Sequence, residues 1–175
     1  SEYKLWSVAG TIPIIADKNH VFASSLVFND KGVQVARYDK THLFDVSISS
    51  TEHYQESATM RCGREPVVVE TPVGCIGLSV CYDVRFPELY RILGAKGAQI
   101  FTVPSAFTNT TGKMHWHTLL RARAIENMCY VIAPNQVGIH ACGRKTYGHS
   151  LMVNPMGEVL VEIKDGTGII CADIE

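Results

Sequence analysis

The 175-residue sequence predicts a mixed α/β domain. Two patterns carry that expectation. Residues 75–103 read as strand, helix, strand, the unit from which layered α/β folds are assembled. On both sides of it, short runs of β-branched and aromatic residues are punctuated by Asn, Asp, Gly and Pro, the signature of hairpins.

In chain order, residues 21–28 and 33–38 flank Asn29, Asp30, Lys31 and Gly32 and predict a hairpin whose second strand delivers Asp39, Lys40, Thr41 and His42. Residues 46–65 are polar and irregular, a long connection of the kind that often carries function. Residues 67–70 and 75–80 flank Thr71, Pro72, Val73 and Gly74 and predict a second hairpin, its return strand running into Cys81. Pro87 opens a helix through Leu93 that stops near Gly94 or Gly97. Residues 99–103 then predict a strand ended by Pro104, and 105–113 a polar loop. A helix over 114–127 follows, with Trp116, Leu119, Leu120 and Ala124 as its apolar stripe. Residues 129–133, 150–153, 158–161 and 168–173 predict the remaining strands, with Asn154, Pro155, Met156 and Gly157 as a turn. No repeat or linker divides the chain, so one domain over 1–175 is the expectation.

Composition narrows the function classes. The chain is 46% hydrophobic, with 16 Lys and Arg against 17 Asp and Glu scattered along it, and shows neither the basic stripe of a nucleic-acid binder nor a basic amphipathic segment for a membrane surface. No apolar run approaches the length of a membrane span. The six cysteines form no CxxC pair, which offers neither a zinc knuckle nor a redox pair, and several lie in apolar strand-like runs where a buried free thiol is ordinary. A reducing compartment follows as the expectation. His115 and His117, two apart, do not share a helix face, so no metal site and no cofactor are expected.

Cys81 is the candidate nucleophile. A residue where a strand gives way to a helix can be held exposed, with the next backbone N–H, that of Tyr82, aimed at a developing oxyanion. A buried structural cysteine is the competing reading. The thiolate needs a cation, a backbone dipole or a general base to favour it. Lys40 offers an ammonium, and His42, His115, His117 and His149 are candidate bases that spacing alone does not relate to Cys81.

The segments Tyr38-Asp39-Lys40-Thr41-His42-Leu43-Phe44-Asp45 and Gly77-Leu78-Ser79-Val80-Cys81-Tyr82-Asp83-Val84-Arg85-Phe86-Pro87-Glu88-Leu89 resemble the nitrilase (carbon-nitrogen hydrolase) superfamily. Pro104-Ser105-Ala106-Phe107, His115-Trp116, residues 119–127, Tyr147-Gly148-His149-Ser150 and Asn154-Pro155 with Gly157 continue the resemblance in order, so it covers essentially the whole chain. The likeness is strongest to the Nit branch, which includes deaminated-glutathione amidases and Nit domains fused to a fragile-histidine-triad nucleotide hydrolase.

The resemblance implies an αββα four-layer sandwich and hydrolysis of a small carboxamide to a carboxylate and ammonia through a cysteine thioester. Omega-amidase activity on alpha-keto acid amides and a catalytically silent regulatory or scaffold protein are the alternatives. It assigns Cys81 as nucleophile, Lys40 to the oxyanion together with the Tyr82 N–H, and Glu56 as an auxiliary carboxylate. The triad's first glutamate, with roughly the first third of the family domain, is expected upstream of Ser1. Substrate carboxylates point to Arg85, Arg123, Arg144 and Lys145, although Arg85 and Arg123 could instead bridge to Glu88 and Glu126. Phe107 and Asn109, in the loop after Pro104, are expected to border the pocket. A homodimer or larger homo-oligomer, a fused nucleotide-hydrolase domain outside this chain, and a cytoplasmic location with mitochondria as the alternative complete the expectations. The chain departs from the usual pattern at His117, where many relatives carry glutamate after His-Trp, and at Cys62, where a proline is usual.

Overall fold

The structure, a computed structural model, describes residues 2–50 and 52–175. They group into two compact units, Ser1–Val67 and Val68–Glu175.

The first unit is built on a three-stranded antiparallel meander, β1 (Ser7–Ile15), β2 (Val21–Phe28) and β3 (Gln34–Asp39). The expected hairpin at residues 21–38 is there, and its turn chemistry explains it. Asn29 Oδ1 accepts hydrogen bonds from the backbone N–H groups of Lys31 and Val33, both at 3.0 Å, while Gly32 takes the left-handed φ of +77°. The β1–β2 connection is closed by Asp17, whose Oδ1 accepts the N–H groups of Asn19 and His20 at 2.8 and 3.1 Å. Residues 46–65, read as an irregular loop, instead contain most of a small ribbon of β4 (Asp45–Ser47) and β5 (His53–Gln55), then a 3-10 turn at Glu56–Ala58. These strands are too short for period-2 alternation to reveal them.

The second unit carries a six-stranded sheet in the order β13-β12-β9-β8-β7-β6, from strands β6 (Val68–Thr71), β7 (Gly74–Leu78), β8 (Ile100–Thr102), β9 (Tyr130–Ala133), β12 (Ser150–Val153) and β13 (Val159–Ile163). The central β7-β8-β9 pairs are parallel, as a strand-helix-strand unit requires, and the flanking pairs are antiparallel. Helix α1 (Pro87–Ala95) joins β7 to β8, with Pro87 in its first turn, and buries Leu89, Tyr90 and Leu93. Helix α2 (Asn109–Asn127) joins β8 to β9 and buries Trp116, Leu120 and Ala124, one residue per turn. A ribbon of β10 (Val137–Ile139) and β11 (Lys145–Tyr147) lies between β9 and β12.

Two expectations fail here. The helix predicted from residue 114 begins five residues earlier, so Asn109 sits in its first turn and not in a loop. Thr108, extended just before the helix, and its hydroxyl bond to Thr111 at 2.7 Å organise that polar start. The strand predicted at 168–173 does not form; these residues carry no ladder pairing. β-propensity alone does not make a strand. No described helix is long and apolar enough to cross a membrane.

Candidate active site

In the first unit, β3 ends at Asp39 and hands the chain to Lys40, whose N–H donates to the Ala23 carbonyl of β2 at 3.0 Å. Gly63 N–H donates to the Lys40 carbonyl at 2.8 Å. A Cβ at Gly63 would stand 2.0 Å from the Asp39 carbonyl oxygen, so only glycine lets this strand pass so close behind the lysine. The Lys40 side chain is 3% exposed, and its ammonium is paired with Glu56 Oε2, at the start of the 3-10 turn. That same oxygen accepts the Phe44 N–H at 2.6 Å. Asp39 is held in turn by Ser24 Oγ and by Arg37, whose Nε and Nη2 reach its two oxygens at 2.8 and 3.1 Å. Lys40 and Glu56, read from the sequence as site residues, are thus brought together as a buried, oriented ion pair. Lysine is ordinarily a solvated surface cation, and Lys40 is instead buried.

In the second unit, β7 continues through Ser79 and Val80 to Cys81, which opens a 3-10 turn over Cys81–Arg85. Cys81 has a φ of +51°, a left-handed conformation that is unfavourable for a side chain with a Cβ and is kept where surrounding structure imposes it. The imposing contacts are visible. Cys81 N–H donates to the Pro104 carbonyl at 3.1 Å, Val80 N–H to Asp83 Oδ2 at 2.8 Å, and Asp83 N–H back to the Val80 carbonyl at 3.1 Å. Behind the bend, Ser79 Oγ donates to the Thr102 carbonyl at 2.8 Å and meets the Tyr90 hydroxyl at 2.7 Å, locking β7, β8 and α1. Burial raises the Tyr90 hydroxyl well above the ordinary phenol range, so it stays a neutral hydrogen-bonding group. Cys81 itself is half-buried, a thiol at a rigid elbow and not a core cysteine. The Tyr82 N–H follows it directly in the turn.

Arg85 closes that turn. Its Nη1 and Nη2 donate to His115 Nδ1, both at 3.2 Å, and its guanidinium lies 5.3 Å from the Phe107 ring centroid and 5.9 Å from that of Tyr82. A guanidinium only donates, so His115 Nδ1 is the acceptor in these contacts. Among the described residues no carboxylate is in ion-pair contact with Arg85, and the alternative bridge to Glu88 is absent; burial lowers its pKa, opposed by the nearby Tyr82 and Cys81. Arg123 is the opposite case. Its Nε donates to the Val84 carbonyl at 2.9 Å, Nη1 pairs with Glu126, and the guanidinium lies over the Tyr90 ring at 5.5 Å, so it ties α2 to the Cys81–Arg85 turn.

Of the other expected substrate residues, Phe107 lies beside the Arg85 guanidinium. Phe107 is buried against Trp116, with centroids 4.9 Å apart, and its N–H donates to Asn135 Oδ1 at 2.9 Å. Asn109 is half-buried in the first turn of α2. Arg144 Nη2 donates to the Ala106 carbonyl, and Lys145 is exposed on β11. His42 Nδ1 meets the Thr41 hydroxyl at 3.0 Å.

The sequence reading missed a third cluster. His117 of α2 and His149, between β11 and β12, both reach Glu162 Oε1 of β13, from Nε2 at 2.8 Å and from Nδ1 at 2.5 Å. Spacing argues against His115 and His117 as a pair; the fold joins His117 to residues 32 and 45 positions away. The available signal was the departure at His117 itself.

With this geometry in place, the relatives fall into one pattern. The carbon-nitrogen hydrolase family profile matches residues 1–175. The chain is 44% identical over 176 residues to a deaminated glutathione amidase of Yersinia enterocolitica, covering 99% of this chain and 62% of that one. It is 45% identical over 161 residues to the nitrilase and fragile histidine triad fusion protein NitFhit of Caenorhabditis elegans, covering 91% of this chain and 37% of that protein, whose crystal structure superposes with a TM-score of 0.86. A Nesterenkonia amidase structure, described as carrying the acetamide moiety of fluoroacetamide covalently added at the active-site cysteine, superposes with a TM-score of 0.77 at 29% identity, covering 88% of this chain and 55% of that one. The chain thus spans about 60% of the length of the amidases it matches. Matched along its entire length, and with a nitrilase-like α/β fold, the chain belongs to the carbon-nitrogen hydrolase family.

Proposed function

We propose that the protein hydrolyses a small carboxamide to a carboxylate and ammonia through a thioester on Cys81, with deaminated glutathione as the substrate. The observation that carries this reading is Cys81 itself, half-exposed at a left-handed elbow fixed by Pro104 and Asp83. Such a bend holds a nucleophile clear of the sheet and leaves the following N–H, that of Tyr82, as an oxyanion donor.

The sulfur attacks the amide carbon, the carbonyl oxygen takes up the negative charge, and ammonia leaves as the tetrahedral intermediate collapses. Water then attacks the thioester and frees the thiol and the carboxylate. Within the first unit Glu56 is fixed on the Lys40 ammonium and orients it, the lysine being the one that the family resemblance assigns to the oxyanion. The proton relay belongs to the family's general-base glutamate, a role given to no residue of this chain. Arg85, cationic and without a carboxylate partner among the described residues, is the group we assign to a substrate carboxylate. Arg123 is committed to Glu126 and Val84 and holds the turn in place. The names of the amidase relatives support the substrate, and the covalent adduct in the Nesterenkonia amidase supports a nucleophilic cysteine in such a site.

The test is ammonia release from deaminated glutathione, run beside alpha-ketoglutaramate, with intact-mass detection of an acyl-enzyme. Cys81→Ala and Cys81→Ser should lose both the adduct and turnover; full turnover in either would overturn the mechanism. A preference for alpha-ketoglutaramate would move the substrate to the omega-amidase class while leaving the chemistry intact. Arg85→Gln should raise KM for carboxylate-bearing amides at least tenfold with kcat less affected. We place the protein in the cytoplasm or mitochondria as a homo-oligomer; the NitFhit relative supports a fused nucleotide-hydrolase domain as a further arrangement of such chains.

A further inference from the structure

We infer that His117, His149 and Glu162 form a binding site for a divalent transition-metal ion of the zinc class, separate from the Cys81 chemistry. Three donors from three parts of the second unit converge: an imidazole from α2, an imidazole from the connection between β11 and β12, and a carboxylate from β13. Their ligand atoms all lie within 4.8 Å of one another. An ion held at about 2.0–2.2 Å from each donor keeps tetrahedral ligands about 3.4 Å apart. The present contacts of 2.8 and 2.5 Å therefore need only side-chain displacements to admit it. Two imidazoles with one carboxylate is a donor set that zinc takes with its remaining position open to water.

A polar cluster serving only to hold α2 against β13 would not need the preparation seen around His149. That residue has a φ of +57°, directly after Gly148 at +71°, an unfavourable conformation for histidine. Trp116 Nε1, next to His117 in α2, donates to the His149 carbonyl at 2.8 Å and fixes the strained residue to the helix that supplies the other imidazole. Tyr147 stacks on the His149 ring at 4.1 Å and 19°, and the His117 ring stands edge-on to His149 at 5.2 Å. The side chains keep 34%, 22% and 19% of their exposure, which leaves a route for an ion and for its water. Both imidazoles now present N–H to the same Glu162 oxygen. When neutral, each takes a metal at that nitrogen by carrying its single proton on the other ring nitrogen, so the exchange needs no other partner.

The experiment titrates Zn²⁺ and Co²⁺ into the intact, reduced protein and reads stoichiometry by calorimetry and by the visible bands of low-symmetry Co²⁺. One ion per chain is expected, with a rise in melting temperature. Affinity should fall about a hundredfold or more in His117→Ala and in Glu162→Gln, and be unchanged in Cys81→Ser. Unchanged affinity in His117→Ala would overturn the site. Should that variant fail to fold, X-ray absorption on the unaltered protein decides. Two imidazoles with oxygen support the assignment. Sulfur in the first shell would place the ion on cysteine and sink it.

Discussion

The most consequential single side chain in the first unit is Lys40, because a buried ammonium is tolerated only with a partner. Glu56 supplies it, at the same time accepting the Phe44 N–H. Removing the carboxylate charge leaves the cation stranded, so Glu56→Gln should cost about 3 kcal/mol, whereas Lys40→Met combined with Glu56→Gln should cost less than that single change. Urea unfolding of the two single variants and the double variant measures this; an additive double variant would mean the pair is not coupled. Cys129 gives a second residue-scale expectation. Its thiol is buried at the start of β9, donating to the Ala98 and Asn127 carbonyls at 3.1 and 3.2 Å, and burial pushes its pKa up from 9.0 to about 11. A raised thiol pKa means that the folded state favours the protonated form. Its contribution is complete below pH 9 and is lost as the pH climbs from 9 through 11. Stability measured across that window should fall more steeply in the parent protein than in Cys129→Ala; identical slopes would show that the thiol is not so placed.

At the scale of elements, helix α2 sets its own limits through Gly112. Helix propensity alone makes Gly→Ala stabilising by about 1 kcal/mol. Here a Cβ would fall 2.3 Å from Tyr147 Cγ and 2.5 Å from its Cβ, near the root of the side chain where rotation gives no relief. Gly112→Ala should therefore destabilise the protein by about 1–2 kcal/mol, read as a lower urea midpoint, and a stabilised variant would contradict the packing of α2 on β11. Much of this layer was legible in sequence. The hairpin of β2 and β3 followed from its Asn-Asp-Lys-Gly turn, and α1 from Pro87 and the glycines at 94 and 97. The β7-α1-β8 order also placed Cys81 at a bend. What stayed hidden lies outside the long, periodic segments that a sequence pattern reveals. The β4–β5 and β10–β11 ribbons have three-residue strands, and residues 168–173 have strand-like composition but no ladder. The site divides the same way: motifs named Lys40 and Cys81, but only the fold distinguishes Arg85, facing His115, from Arg123, committed to Glu126.

Across the whole molecule the two units are unequally provided with core. In the second, Leu78, Val84, Leu93, Phe101, Trp116, Leu120, Val131 and Val153 are fully buried around a six-stranded sheet with both helices packed on it. In the first, the buried apolar side chains are Ala23, Leu26, Val27 and Tyr38, while Ile12, Ile15 and Val35 of the meander stand exposed. Apolar burial is the main force holding either unit together, and local opening free energies follow it. Hydrogen exchange on the 175-residue chain should therefore show its slowest amides in β8 and β9, where the strands have neighbours on both sides. The ladder amides of β1–β3 should exchange at least about a hundredfold faster, through openings cheaper by nearly 3 kcal/mol. Because Lys40 follows β3 and Cys81 follows β7, the same difference would make the ammonium the less firmly held of the two groups. Equal protection in the meander and in the central parallel strands would refute this ranking.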